Sequence, residues 1–208
     1  MPNWVFCNNT ISGPAYEIAR FMAAARGANR YHSSDEIVDW GAFTNIQLET
    51  LMQEAQAHSK TTNENGFCFH ALYPMPLAVQ ILPYGPGTLQ RAIAENEGVA
   101  AFCKEHGVNI SGYDWEIQNW GVKWGDCCTS IVEEGEDYLQ IYFETAWGAP
   151  HEFWKKVSAD YPELIITMNY NEEARQFEGE AQYQAGEAFV VEWEPEPEGD
   201  GQILSGHE

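Results

Sequence analysis

The stretch that most constrains this chain is "YLQIYFETAWGAPHEFWKKVSADYPELIITMNYNEEA", which reads as strand, helix and strand in succession. In "YLQIYFETAW", Leu139, Ile141 and Phe143 face one side, while Tyr138, Gln140, Tyr142 and Glu144 face the other. That period of two is what a half-buried strand requires. Pro150 then stands where a first helical turn tolerates a missing N–H. Phe153, Val157 and Tyr161 recur every fourth residue with Trp154 beside them, and Pro162 ends the helix. "ELIITMNYNEEA" returns to alternation at Leu164, Ile166, Met168 and Tyr170.

A second unit opens the chain. "NWVFCNNTIS" is β-like, "SGP" is a turn, and "AYEIARFMAAARG" places Ile18, Phe21, Met22 and Ala25 on one helical face, with Gly27 as the expected cap. "ARQFEGEA" and "EAFVVEW" add two further strands near the end. The order is that of a split βαβ, the ferredoxin-like α+β sandwich. It predicts one domain over 1–193, with a helical insertion at about 28–66 and extra C-terminal strands. "DEIVDWGAFTNIQLETLMQEAQAHS" supplies a helical run in that insertion, in which Ile46, Leu48, Leu51, Met52 and Ala55 fall in register. "FCFHALYPMP" is strand-like, and Thr88 to His106 reads as a second helical segment weakened at Gly98 and stopped at Gly107.

Between these lies "NWGVKWGD". A helix through it would have to absorb Gly121 and Gly125 at about 1 kcal/mol each. The expectation is therefore an extended segment, with Trp120, Val122 and Trp124 on one face and Lys123 on the other. Each indole can bury roughly 200 Å2 and so anchor the sheet. A stacking surface for a base or sugar is the functional alternative.

Charge limits the partners. Thirty-two acids against ten bases give a net charge of −22. Such a field repels nucleic acids and anionic lipid surfaces and attracts basic partners; it also simply keeps a chain soluble. From Glu172 onward there are eleven acids and one base, Arg175. "VEWEPEPEGDGQ" alternates Glu with Pro, which excludes helix and interior strand, so 194–208 is expected to be an acidic Pro/Gly-rich tail. No run approaches the roughly 18 apolar residues of a membrane span. No signal peptide is visible, and five cysteines without CxxC spacing read as reduced thiols, so a cytoplasmic protein is expected. The adjacent Cys127 and Cys128 admit a strained vicinal disulfide as the alternative.

Taken together, "MPNWVFCNNTISGP", "FHALYPMP", "NWGVKWGD" and "FETAWGAPHEFWKKVSADYPELIITMNYNEEARQFEGE" resemble the YubB-type ferredoxin-like domain family of phages and conjugative plasmids. The resemblance covers residues 1–27 and 67–180. It implies a ferredoxin-like fold without an iron–sulfur cluster, and carriage on a mobile element. It transfers no catalytic residues. Asn3, Trp4, Asn8, Trp120, Gly121, Lys123, Trp124, Trp147 and Pro150 read as packing and turn-forming positions.

Signatures of chemistry are weak. The six histidines (His32, His58, His70, His106, His151, His207) form no HExxH or Cys/His cluster. No GxSxG or phosphate-binding loop is present. No catalytic, cofactor-binding or metal residues are assigned. Asp114 and Glu116 in "YDWEIQNW" share a face if extended, and with Asp126 or His70 would form the site of a divalent-metal enzyme. The stronger expectation is a non-enzymatic phage- or plasmid-borne interaction protein. It would bind and block a basic, nucleic-acid-binding surface of a host defence protein, as an anti-CRISPR or anti-restriction inhibitor that mimics nucleic-acid charge. The contacting acids are expected among Glu133, Glu134, Glu136, Asp137, Glu172, Glu173, Glu178, Glu180, Glu192 and Glu194. A structural phage component is a further alternative.

Overall fold

The computed structural model describes residues 2–31, 44–60 and 66–193. The expected acidic tail at 194–208, with Glu194, lies outside the described residues, as do 32–43 and 61–65 of the expected insertion.

Strand β1 (Trp4–Ser12) leads into α1 (Ala15–Ala25). A run of helices follows: α2 (Asn45–His58), α3 (Phe69–Leu72), α4 (Leu77–Gln80), α5 (Thr88–Glu95), α6 (Glu97–His106) and α7 (Gly112–Trp120). The chain then forms β2 (Lys123–Glu134), β3 (Tyr138–Ala146), α8 (His151–Asp160), β4 (Ile165–Glu172), β5 (Glu178–Gln184) and β6 (Glu187–Trp193). The strands make one sheet in the order β2-β3-β1-β4-β5-β6, antiparallel throughout. β1 lies between β3 and β4, so both helical crossovers skip a strand. This is the ferredoxin-like split βαβ, widened by β5 and β6.

Alternation decides which face is buried. Val5, Cys7 and Ile11 on β1, Leu139, Ile141 and Phe143 on β3, and Ile166, Met168 and Tyr170 on β4 all turn inward. They meet Ile18, Phe21, Met22 and Ala25 of α1 and Phe153, Trp154 and Val157 of α8. Each Val, Leu, Ile, Met or Phe among them contributes about 1.5–3 kcal/mol by leaving water. Phe69 stacks on Phe153 at 3.7 Å between ring centroids, and Phe67 stacks on Phe143 at 5.9 Å. A second apolar cluster, including Leu48, Ile81, Leu89, Val99 and Phe102, sits within α2–α6. Trp115 of α7 packs against both clusters.

Three local expectations are corrected. "FCFHALYPMP" is not a strand: Asp126 Oδ1 accepts the Phe69 N–H at 2.7 Å and Cys68 Sγ accepts the Ala71 N–H at 3.3 Å, which start the short helix α3. Thr88 to His106 is two helices, because Asn96 Oδ1 accepts from Gly98 N at 2.8 Å and Val99 N at 3.1 Å and so caps a new one. Gly98 therefore falls in a first turn rather than an interior.

The third concerns "NWGVKWGD". Ser111 caps α7, which runs through Trp120, and Gly121 closes it at φ 78°. Gly121 terminates the helix instead of interrupting it, so its interior penalty does not apply. Trp120 is 2 % exposed and donates its Nε1–H to the Tyr73 carbonyl at 3.1 Å. Trp124 belongs to β2 and is 40 % exposed. The two indoles do not share a face.

Candidate interaction surface

The helices cover one side of the sheet; the other parity of every strand faces outward. Register brings these outward residues into rows. Glu144, Phe6, Asn171, Glu178 and Trp193 are successive cross-strand partners from β3 to β6. The next row is Tyr142, Asn8, Asn169, Glu180 and Val191, and the third is Gln140, Thr10, Thr167, Gln182 and Phe189. Glu133 extends the third row onto β2, opposite Gln140. The rows contain carboxylates, carboxamides and aromatics. Among the described strands the basic residue is Lys123, at the start of β2.

Several carboxylates are held in place. Glu178 accepts the Trp193 Nε1–H at 2.6 Å, Glu144 accepts the Tyr142 hydroxyl at 2.8 Å, and Glu133 accepts the Tyr138 hydroxyl. In each case an exposed or half-buried acid is oriented by the aromatic beside it.

Of the acids expected to meet a partner, Glu133, Glu178 and Glu180 lie on this face. Glu136 and Asp137 are exposed in the turn between β2 and β3. Glu134 has the opposite parity and pairs with Arg26 at 3.0 Å. Glu173 accepts the Trp4 N–H at 3.1 Å. Glu192 is on the helix side, where it accepts the Tyr170 hydroxyl at 3.0 Å. Glu172 is a correction: at 1 % exposure it is interior and accepts the Gln176 N–H at 3.1 Å, so no partner reaches it. Glu144 and Glu187 belong on the face and were not among the expected acids.

Behind the N-terminal half of β2 lies a cavity of about 470 Å3, bordered by Arg30, His58, His70, Trp124, Asp126 and Cys127 among others. Here β2 departs from regular pairing, with shifts between Lys123 and Cys127 and between Cys127 and Ser130. Trp124 (φ 67°) and Cys128 (φ 50°) adopt left-handed backbone, a cost that clusters at functional and structurally over-determined sites. Glu116, the partner of two residues that border the cavity, is fully buried. It pairs with Arg30 and accepts the Tyr84 hydroxyl and the Trp124 N–H, the last at 2.6 Å. Burial raises its pKa, against the opposing pull of Arg30, Tyr84 and the Trp124 amide.

Burial likewise raises Asp126, although both its oxygens accept hydrogen bonds, from Phe69 N and from Thr129 Oγ1, each at 2.7 Å. The Cys127 thiol is pushed up to about 11, chiefly by burial and then by neighbouring Asp126, and burial also raises Cys128. Both are therefore protonated at neutral pH and poor nucleophiles. His70 Nδ1 accepts the Met75 N–H at 3.2 Å, and His58 Nε2 lies 3.0 Å from the Asn29 carbonyl. Asp126, through Phe69 N, and Glu116, through Trp124 N, tie the helical run to β2, whereas the His70 and His58 contacts are made within residues 29–75.

Asp114 and Glu116 are not brought together. Both are on α7, where residues two apart point away from one another. Asp114 accepts the Ser111 hydroxyl at 2.6 Å, while Glu116 is spent on Arg30. Elsewhere Glu49, Glu105 and His106 place ligand atoms within 4.8 Å of one another across α2 and α6. His106 Nε2 already lies 3.2 Å from Glu49. More than fifty positions separate Glu49 from His106, so no spacing in the sequence marks this trio.

The motif positions divide likewise. Trp120 is core and Gly121 is a cap; Asn3 accepts the Trp147 N–H through its carbonyl at 2.9 Å, and Pro150 precedes α8. Trp4 is half-buried, but Trp124 and Trp147 are 40 % and 53 % exposed and serve the surface rather than the core.

A family comparison agrees with the ferredoxin-like fold of the C-terminal part. Residues 119–202, from the end of α7 through β2–β6 and beyond, match the family described as a ferredoxin-like domain in Api92-like protein. The matching description is thus Api92-like rather than YubB-type. No curated protein matches the chain. Among solved structures, the crystal structure of protein api92 from Yersinia pseudotuberculosis is similar at 12 % identity and a TM-score of 0.47, covering 95 % of this chain and 100 % of that one. No helix among the described residues is long and apolar enough to cross a membrane. The ferredoxin-like assignment rests on the strand order and on the matched segment.

Proposed function

We propose that this protein is a non-enzymatic interaction module whose outward sheet face docks on a basic protein surface of the kind that binds nucleic acid, and blocks it. The observation that carries this reading is the composition of the face: three registered rows of acids, carboxamides and aromatics, with Lys123 at the rim as the base among the described strands. A positive surface meeting it would be steered by the field of a chain carrying −22 and held by short-range acceptors. The finer form of the proposal, a phage- or plasmid-borne inhibitor of a host CRISPR or restriction effector acting in the bacterial cytoplasm, is supported by the motif resemblance and the net charge.

The test is affinity capture from bacterial lysate with the wild-type chain and with Glu144→Lys/Glu180→Lys/Glu187→Lys, followed by elution across a salt gradient. Basic nucleic-acid-binding proteins retained by the wild type, released by moderate salt and lost with the charge-reversed variant, are the expected outcome. Partners of acidic pI, or basic partners indifferent to the reversal, would count against the reading.

A further inference from the structure

At the rim of the outward face, Lys123 lies between two exposed indoles. Its ammonium is 4.2 Å from the Trp124 ring centroid and 5.1 Å from that of Trp147. Trp4 approaches Trp124 at 6.3 Å, and register places Lys123, Ala146 and Trp4 in one cross-strand row. A cavity of about 360 Å3 opens here, lined by Trp147, Ile117, Tyr113 and Gly148. Trp147 (φ 72°), like Trp124, holds a backbone conformation that costs a bulky residue about 1–3 kcal/mol, and both rings remain in water. Such strain persists where the surroundings over-determine it, and here both strained residues present a ring face to the same cation.

We infer that Trp124 and Trp147 form a cation-binding cage for an arginine or lysine side chain of the basic partner, with Lys123 as its intramolecular occupant. The inference rests on the proposed acidic-face function and names the contact at its rim. The geometry supplies the ligand's chemistry directly: an ammonium already sits within cation–π range of both rings. An incoming guanidinium is more weakly hydrated than an ammonium and stacks flat on indole, so it competes well for the same faces. Displacement swings Lys123 outward, and the negative field around it compensates its charge. The occupant is taken to be a protein side chain because the cage continues into the acidic rows, where a basic segment has further acceptors.

The probe is the peptide acetyl-Gly-Arg-Gly-Arg-Gly-amide, titrated into the full chain with the indole Nε1–H resonances as the readout. Lys123→Met keeps the length of the occupant and removes its charge; Lys155→Met removes an equal charge from an exposed site on α8 and controls for net charge. The expected result is a gain of about threefold to tenfold in affinity for Lys123→Met over Lys155→Met, corresponding to one cation–π contact at a partly exposed site. Adding Trp147→Ala to Lys123→Met should abolish that gain, and the Trp124 and Trp147 resonances should move most. Equal affinities for the two lysine variants would overturn the cage while leaving the acidic face intact. No peptide binding by any variant would overturn the acidic-face reading and the cage with it. Tetramethylammonium chloride, titrated in parallel, is expected to shift the same resonances only weakly. If it moves them fully and the peptide does not, the cage belongs to a small quaternary cation and the partner contact is refuted.

Discussion

Arg30→Met is the most discriminating perturbation of the fold. Arg30 follows α1, Glu116 belongs to α7, Tyr84 lies between α4 and α5, and the Trp124 amide begins the irregular part of β2. Four parts of the chain thus converge on one carboxylate whose side chain is fully buried, paired with a guanidinium only 14 % exposed. Burial dominates the raised pKa of Glu116, and Arg30 is the largest influence opposing it. Removing the cation leaves a buried anion with two neutral donors. Loss of one partner from such a pair costs about 3–5 kcal/mol, which for a chain of this size lowers Tm by roughly 6–20 °C.

The pH dependence separates charge from lost packing. Without Arg30 the folded pKa of Glu116 rises further above its unfolded value of about 4.3. A raised carboxylate pKa means that the native state binds the extra proton, so stability falls as pH climbs through the interval. The deficit of Arg30→Met, measured by urea denaturation, should therefore be smallest near pH 4 and widen toward pH 7. Arg30→Met/Glu116→Gln should recover most of it, giving a clear coupling energy in a double-mutant cycle. A deficit under about 1 kcal/mol at neutral pH, or one flat with pH, would refute the claim that this ion pair fastens the insertion to the sheet.

Further outcomes follow from single positions. Gly121→Ala forces an L-residue to φ 78° and brings its Cβ to 3.2 Å from Glu152 Cβ; a loss of about 1–2 kcal/mol, or roughly 2–8 °C in Tm, is expected by calorimetry. Asp126→Asn keeps an oxygen for the Phe69 N–H and removes a carboxylate whose pKa burial has raised, so the variant should match or exceed wild-type stability at pH 7, and its advantage should shrink as pH falls toward 4. His151 has a pKa lowered by burial and lies 2.5 Å from the Tyr183 hydroxyl; its contribution is complete above the unfolded value of about 6.5 and is lost as pH falls through the folded one. His151→Gln should remove that part of the pH–stability slope.

Where the sequence was legible, one periodicity ran long enough to exclude the other. Residues 138–172 passed from period two to four-residue spacing and back, and the buried positions followed. The same alternation, continued from Tyr170, puts Glu172 inside; grouping acids by charge rather than parity misplaced it. Parity also put Glu144 on the polar side of β3. Nothing local could show that Glu144 would share a row with Phe6, Asn171, Glu178 and Trp193, because that depends on the register of four strands. Helix α7 was hidden by counting Gly121 as an interior cost when it is a cap. The four-residue helices α3 and α4 are too short to carry a period, and α3 depends on Asp126, which reaches it from β2.

The edge strand β6 narrows the choice of partner. Phe189 is 71 % exposed, and Val190, Val191 and Trp193 are all above 40 %, on a strand that is last in the sheet among the described residues. Exposed apolar edges invite pairing with a second copy unless something opposes it. Here Glu187 and Glu192 bracket the apolar run, and two chains of −22 repel one another. Salt that screened this repulsion would also weaken the attraction for a cation-rich surface, so self-association and partner binding should respond oppositely to ionic strength. On the proposed reading the same carboxylates would act twice: they would keep an adhesive edge from its own kind and leave it open to a protein that brings positive charge.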